Sequence, residues 1–159
     1  MKTIDEWFSQ YAESHQNQTN KAIHWVCVPL IFWSVMALLW SIPVPEVFIE
    51  PGLNWMYIAL MGALGWYMFL APPLAVGMLL ICYGFIYLIS FVEKVLDESG
   101  LLPLWGLALL VFIVAWIGQF IGHKVEGKKP SFLTDLTFLL IGPIWLLHFI
   151  YKKIGIRYQ

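Results

Sequence analysis

Hydrophobic residues in this chain come in long runs that charged residues interrupt only at intervals. Lys21 and Glu46 enclose 24 uncharged residues, Glu50 and Glu93 enclose 42, Glu98 and Lys124 enclose 25, and Asp135 and Lys152 enclose 16. A helix rises about 1.5 Å per residue and needs about 20 residues to cross the hydrocarbon of a bilayer. The first run therefore predicts one span over 22–42. The second predicts two, over 53–71 and 74–92, folded back at Ala71-Pro72-Pro73 in a tight hairpin. The third predicts a span over 101–123. The last run is short and has Gly142-Pro143 in its middle, so 131–151 reads as an interfacial or re-entrant segment rather than a fifth span.

Ahead of the first run the pattern changes. Thr3-Ile4-Asp5-Glu6 has the form of a capping box. Ile4, Trp7, Phe8 and Tyr11 then give a short helix an apolar stripe, which predicts a helix lying on the membrane surface and ending around His15. Gln16-Asn17-Gln18-Thr19-Asn20 is a polar turn, with Asn20 as the expected N-cap of the first span. The fold class that follows is an all-α integral membrane protein forming one domain over 1–159. It has four transmembrane helices, an N-terminal surface helix and turn over 1–20, and the C-terminal interfacial or re-entrant segment.

Composition agrees: 60% of the 159 residues are hydrophobic, 12% are charged, and the mean hydropathy is +0.76. A net charge of -1 argues against nucleic acid as a partner, and membrane lipids take its place. Cys27 and Cys82 lie inside apolar runs, which argues against a disulfide framework. Residues 1–21 lack the apolar core of a secretory signal.

Charge also orients the chain. With four spans, Lys2, Lys21, Lys124, Lys128, Lys129, Lys152, Lys153 and Arg157 share one face, and of the nine Lys and Arg only Lys94 lies opposite. The positive-inside rule makes that face cytoplasmic, with both termini on it, in an inner membrane if the source is bacterial and the endoplasmic reticulum if eukaryotic.

The histidines converge on the same face, which the charges and apolar runs define on their own. His15 is in the surface segment, His24 is one turn into the first span, and His123 is in the last turn of the fourth. At about 100 degrees per residue, Trp116, Gln119, His123 and Glu126 fall within an arc of about 80 degrees. Gly127 is placed to cap that helix and Pro130 to end it. Asn20, His24 and Cys27 make a matching stripe on the first span. Polar groups at membrane depth normally face a bundle interior or an aqueous cavity, so two such stripes at one depth point to a shared pocket.

Imidazoles from three segments suit a transition metal. His15, His24 and His123 are the candidate ligands, with Asn20, Gln119 and Glu126 as outer partners and His148 as a candidate additional ligand. His15 and His24 are nine residues apart and out of phase on one straight helix, so co-ligation requires the 16–20 turn to fold the first segment back. The residues alone leave several functions open: a mononuclear non-haem oxygenase, a di-metal membrane hydroxylase, a bis-His haem protein, or a lipid-binding protein without enzymatic activity.

Two blocks narrow that choice. Tyr11-x3-His15-x4-Asn20-x3-His24-x4-Pro29 and Trp116-x2-Gln119-Phe120-x-Gly122-His123-x2-Glu126-x3-Pro130 resemble the signatures of the Mpo-like family, named for a fungal 2-hydroxy-fatty-acid dioxygenase and formerly a domain of unknown function. The resemblance implies an Fe(II)-dependent, haem-independent dioxygenase acting on a 2-hydroxy fatty acid and dioxygen. The acid would be shortened by one carbon, as in the alpha-oxidation of phytosphingosine breakdown. It places His15, His24 and His123 on the metal, and leaves Glu126 or Gln119 to orient a ligand or accept a proton as catalytic residues. The sequence departs from the family pattern at Cys27, where a glycine is usual, and at Ser131-Phe132. Those changes spare the histidines and bear on chain-length preference.

Overall fold

The computed structural model describes residues 2–133 and 136–158, and Asp135, the charge taken to open the last apolar run, lies outside them. Among the described residues the chain is all helix: α1 (Ile4–Ala12), α2 (Gln18–Trp40), α3 (Glu46–Ile49), α4 (Trp55–Leu70), α5 (Pro72–Ser99), α6 (Leu104–Glu126) and α7 (Phe138–Ile154), with a 3-10 turn at Ser131–Leu133. By length and composition, α2, α5 and α6 can each cross a membrane. The fourth expected span, α4, is apolar but has 16 residues, or about 24 Å of helix. Asn54 caps its start by accepting from the Tyr57 N–H, and extended backbone at Ala71 separates it from the proline-led start of α5. The hairpin therefore falls where the proline pair predicts it.

Other boundaries moved for physical reasons. α5 does not stop at residue 92. Its charged continuation stays helical, Glu93 accepts from Trp40 Nε1 at 3.0 Å, and the helix ends where Gly100 takes a φ of 62°. The N-cap of α2 is Asn17 rather than Asn20: the Asn17 side chain accepts from the N–H groups of Thr19 and Asn20. Asn20 is thereby one turn inside the helix, and buried. The capping box of α1 is present as expected, but that helix ends at Ala12, short of His15.

The largest departure concerns α1 and α7. The apolar stripe of α1 is buried in protein: Ile4, Trp7, Phe8 and Tyr11 share a core with Phe138, Ile141 and Trp145 of α7 and with Tyr67 and Leu74. Within the segment expected to be interfacial or re-entrant, α7 is one continuous helix from Phe138 that runs through Gly142-Pro143. Tyr67 and Tyr151 tie α7 to the α4–α5 hairpin by donating to the Leu140 and Pro73 carbonyls at 2.7 and 2.8 Å. An apolar stripe looks the same whether it faces lipid or another helix, and α7 supplies the helix.

α2 and α6 run antiparallel along one another, with Met36 and Ala37 beside Leu104 and Ala108 at one end and Asn20 beside Gly122 at the other. Gly118 and Gly122 make the approach possible. A Cβ at Gly118 would meet Cys27 Sγ, and one at Gly122 would collide with Asn20 Oδ1. Small residues four apart are a recurrent device for close helix packing in membranes. Asn20 cannot retreat, because its Nδ2 donates to Ser14 O and Glu126 Oε2, both at 3.0 Å. Gly122→Ala is therefore expected to cost about 1–3 kcal/mol by overpacking. Unfolding of the detergent-solubilised protein will show this as a lowered midpoint, and an unchanged midpoint would mean that the interface yields.

Candidate metal centre

His15, His24 and His123 meet where α1, α2 and α6 come together. His15 follows α1, His24 lies in the second turn of α2, and His123 is in the last turn of α6. They are only 1%, 1% and 5% exposed, and their ring centroids are 4.3 to 5.0 Å apart. One nitrogen from each lies within 4.8 Å of the others, a group able to hold a metal ion. The turn between α1 and α2 folds back as co-ligation by His15 and His24 requires.

The outward nitrogens fix the tautomers. His15 Nδ1 lies 2.6 Å from the Tyr11 carbonyl, and His24 Nδ1 lies 2.9 Å from the Asn20 carbonyl. A carbonyl can only accept, so both Nδ1 atoms carry the proton, and in the neutral imidazoles both Nε2 atoms carry lone pairs. Those Nε2 atoms are 2.9 Å apart. Two lone pairs at that range repel unless a cation lies between them. Adjacent ligands about 2.0–2.1 Å from one ion would have much the same separation. A proton is disfavoured there, because burial, and then the His24 imidazole, hold the His15 pKa at about 3. His123 Nδ1 is buried with no hydrogen-bond partner among the described residues. The donor set, three neutral imidazoles with two oriented by carbonyls, fits a divalent transition metal and leaves coordination positions open.

Glu126 is placed differently from the ligands. Its Oε1 accepts from the Gln16 N–H at 2.8 Å, and its Oε2 accepts from the Asn17 N–H at 2.9 Å and from Asn20 Nδ2. A carboxylate at the start of α2 also meets the positive end of that helix. Glu126 thus fastens the end of α6 to the turn that carries His15. Lys128 Nζ, donating to Glu13 O at 2.7 Å, and the Ser14–Ser131 hydroxyl pair continue the same seam. His148 stands apart from the three-histidine group: its Nδ1 pairs with the Tyr158 hydroxyl, and its ring packs on Phe8 and Phe149.

A cavity of about 460 Å³ opens from the histidines into the helices. His15, His24, His123, Gln119 and Trp116 form one end, and the rest of the wall is almost wholly apolar. Trp116 Nε1 and Gln119 Nε2 are buried donors without partners among the described residues, and both residues line this space. Ser131 and Phe132, two of the departures from the family pattern, also line it. Val35, Leu136 and Leu139 line it while remaining exposed, so the cavity reaches the apolar outer surface of the protein. Tyr11 stacks on His15 at 4.1 Å, and burial pushes its pKa above the usual phenol range, keeping it neutral.

Sequence reasoning singled out Gln119, His123 and Glu126 as one face but missed three supports. Gly118-x3-Gly122 was a readable signal of close helix packing. Trp145, whose ring lies 5.1 Å from Tyr11 and 5.4 Å from His15, carried no distinguishing pattern. Neither did the cavity. Compared with known families, residues 1–154 match the family model described as 2-hydroxy-palmitic acid dioxygenase Mpo1-like. No curated protein and no solved structure matches the chain.

Proposed function

The chain belongs to the Mpo1-like family, and on that premise we propose that it is an Fe(II)-dependent, non-haem dioxygenase that shortens 2-hydroxy fatty acids by one carbon. The observation that carries this reading is the placement of three buried imidazoles at one end of a long apolar cavity. An amphiphile with a polar, chelating head and an apolar tail matches both parts. His15, His24 and His123 would hold the ion. When bound, the ion supplies the redox chemistry that joins dioxygen to the hydroxy acid.

The remaining work falls to the chain. The Tyr11 and Asn20 carbonyls hold two imidazoles with Nε2 turned inward. Trp116 Nε1 and Gln119 Nε2 offer donors to the oxygens of the acid head. The apolar walls exclude water from the reacting end and take up the tail, at about 0.8 kcal/mol for each methylene buried. Glu126 acts by fastening the site rather than by proton transfer. In the membrane, α4 joins α2, α5 and α6 as a fourth, short span, and α1 and α7 sit with the metal centre and both termini on the cytoplasmic side.

Elemental analysis of the detergent-purified protein should find about one iron per chain, and 2-hydroxypalmitate should yield an acid one carbon shorter under air. Iron and product both missing would end this reading, and a Soret band would replace it with a haem protein. Cysteine labelling at both termini tests the orientation, and labelling from opposite sides would overturn it.

A further inference from the structure

We infer that the depth of the apolar cavity measures the acyl chain, with Met36 and Met56 as its floor and Ala63 as a gauge point part-way down. This rests on the cavity's being the site of a 2-hydroxy acid, and it adds which residues choose the chain length. The cavity follows α2 from His24 to its floor at Met36, a rise of about 18 Å. An extended chain advances about 1.2 Å per bond, as a polypeptide does in covering about 3.6 Å with three backbone bonds, so that depth holds about fifteen bonds. A 2-hydroxy acid of about sixteen carbons fits, with its head at the histidines.

The far end meets packed protein, with the opening to the outer surface at Val35 lying beside it on α2. Met36 and Met56 line the cavity, are 2% and 0% exposed, and belong to one core with Trp33, Leu60 and Ala108. α4 supplies the scale, because it runs from that floor back toward the metal centre. Met56 and Leu60 belong to the deep core, whereas Tyr67 belongs to the core around Tyr11 and Phe138. Ala63 lies between them and lines the cavity with a small side chain. It is seven residues from Met56, or about 10 Å above the floor. Bulk at position 63 would shorten the slot, and removal of bulk at position 56 would lengthen it.

The test is a competition among 2-hydroxy acids of about ten to about twenty carbons, scored by relative kcat/KM for the wild-type protein, Ala63→Phe and Met56→Ala. The wild type should peak near sixteen carbons. Ala63→Phe should move the peak several carbons shorter and lower the sixteen-carbon acid at least about tenfold against the new optimum. Met56→Ala should move it about two carbons longer. Turnover with one unchanged length profile in all three proteins would overturn the ruler and leave the proposed reaction standing. If the wild type turns over none of the acids, the reaction fails. Displacement of a fluorescent fatty acid by the same length series then reads the cavity without chemistry, and an unshifted profile there also overturns the ruler. Should Ala63→Phe fail to fold, Met56→Ala alone decides, since any shift must be toward longer chains.

Discussion

Replacing His123 with alanine is expected to remove the metal from the purified protein and to lower turnover of 2-hydroxypalmitate by at least about a hundredfold. The basis is the economy of the site. Only three side chains among the described residues converge there, and each supplies one nitrogen. Loss of an outer partner that merely orients a ligand already costs about 10–100-fold in metal affinity, and loss of a ligand from a set of three should cost more. The fold should survive, because His123 forms no hydrogen bond through Nδ1 that its removal would break, and alanine is a good helix former at the end of α6. His148→Ala is the control. It sits outside the group, paired with Tyr158, so it should keep full metal content. Metal retained at one per chain in His123→Ala would sink the three-histidine site. A metal-free wild type with unaltered lipid binding in the variant would favour the lipid-binding alternative.

The convergence of those histidines was legible before any coordinates, because charges mark where apolar runs end. Once the runs are numbered, parity puts residues 15, 24 and 123 on one side. The same signal marked where α5 leaves its apolar run, at Glu93, but not where the helix itself ends, at Gly100. It also could not place α1. A stripe of Ile4, Trp7, Phe8 and Tyr11 records that one face avoids water, and it is silent on whether lipid or α7 covers it. Asn17 and Asn20 are both sound caps by residue type; the choice depends on where the turn aims its N–H groups. The cavity was beyond reach for a plainer reason, since it is a space among side chains from five separate stretches and no residue pattern encodes it. Glu126 falls between these cases. Its helical phase put it on one face with Gln119 and His123, but two of its three donors are backbone N–H groups of Gln16 and Asn17, which are invisible in a comparison of side chains.

That geometry gives Glu126 a role that mutation can separate from catalysis. Glu126→Ala removes the acceptor of three hydrogen bonds at once. Hydrogen bonds to a charged group are worth about 1.5–3 kcal/mol each, less where solvent can replace the partner, as it can for the Gln16 and Asn17 N–H groups at this half-exposed turn. Asn20 is different: it is buried, and without Glu126 its Nδ2 keeps only Ser14 O. The turn between α1 and α2 then loses its tie to α6, and with it the position of His15 relative to His123. Metal affinity should fall by about 10–100-fold, the usual cost of losing support behind a ligand, and turnover should fall in proportion at limiting iron. Adding Fe(II) should restore much of it. Glu126→Gln keeps an acceptor oxygen but gives up the charge, so it should lie between the wild type and alanine on both measures. A proton-transfer role makes the opposite forecast. In that case Glu126→Gln would bind iron as tightly as the wild type yet be as inactive as alanine, and no excess of metal would recover it. Titrating iron into the three proteins while following turnover separates the two, because a fastening residue shifts the iron concentration at half-maximal activity and a proton-transfer residue lowers the plateau.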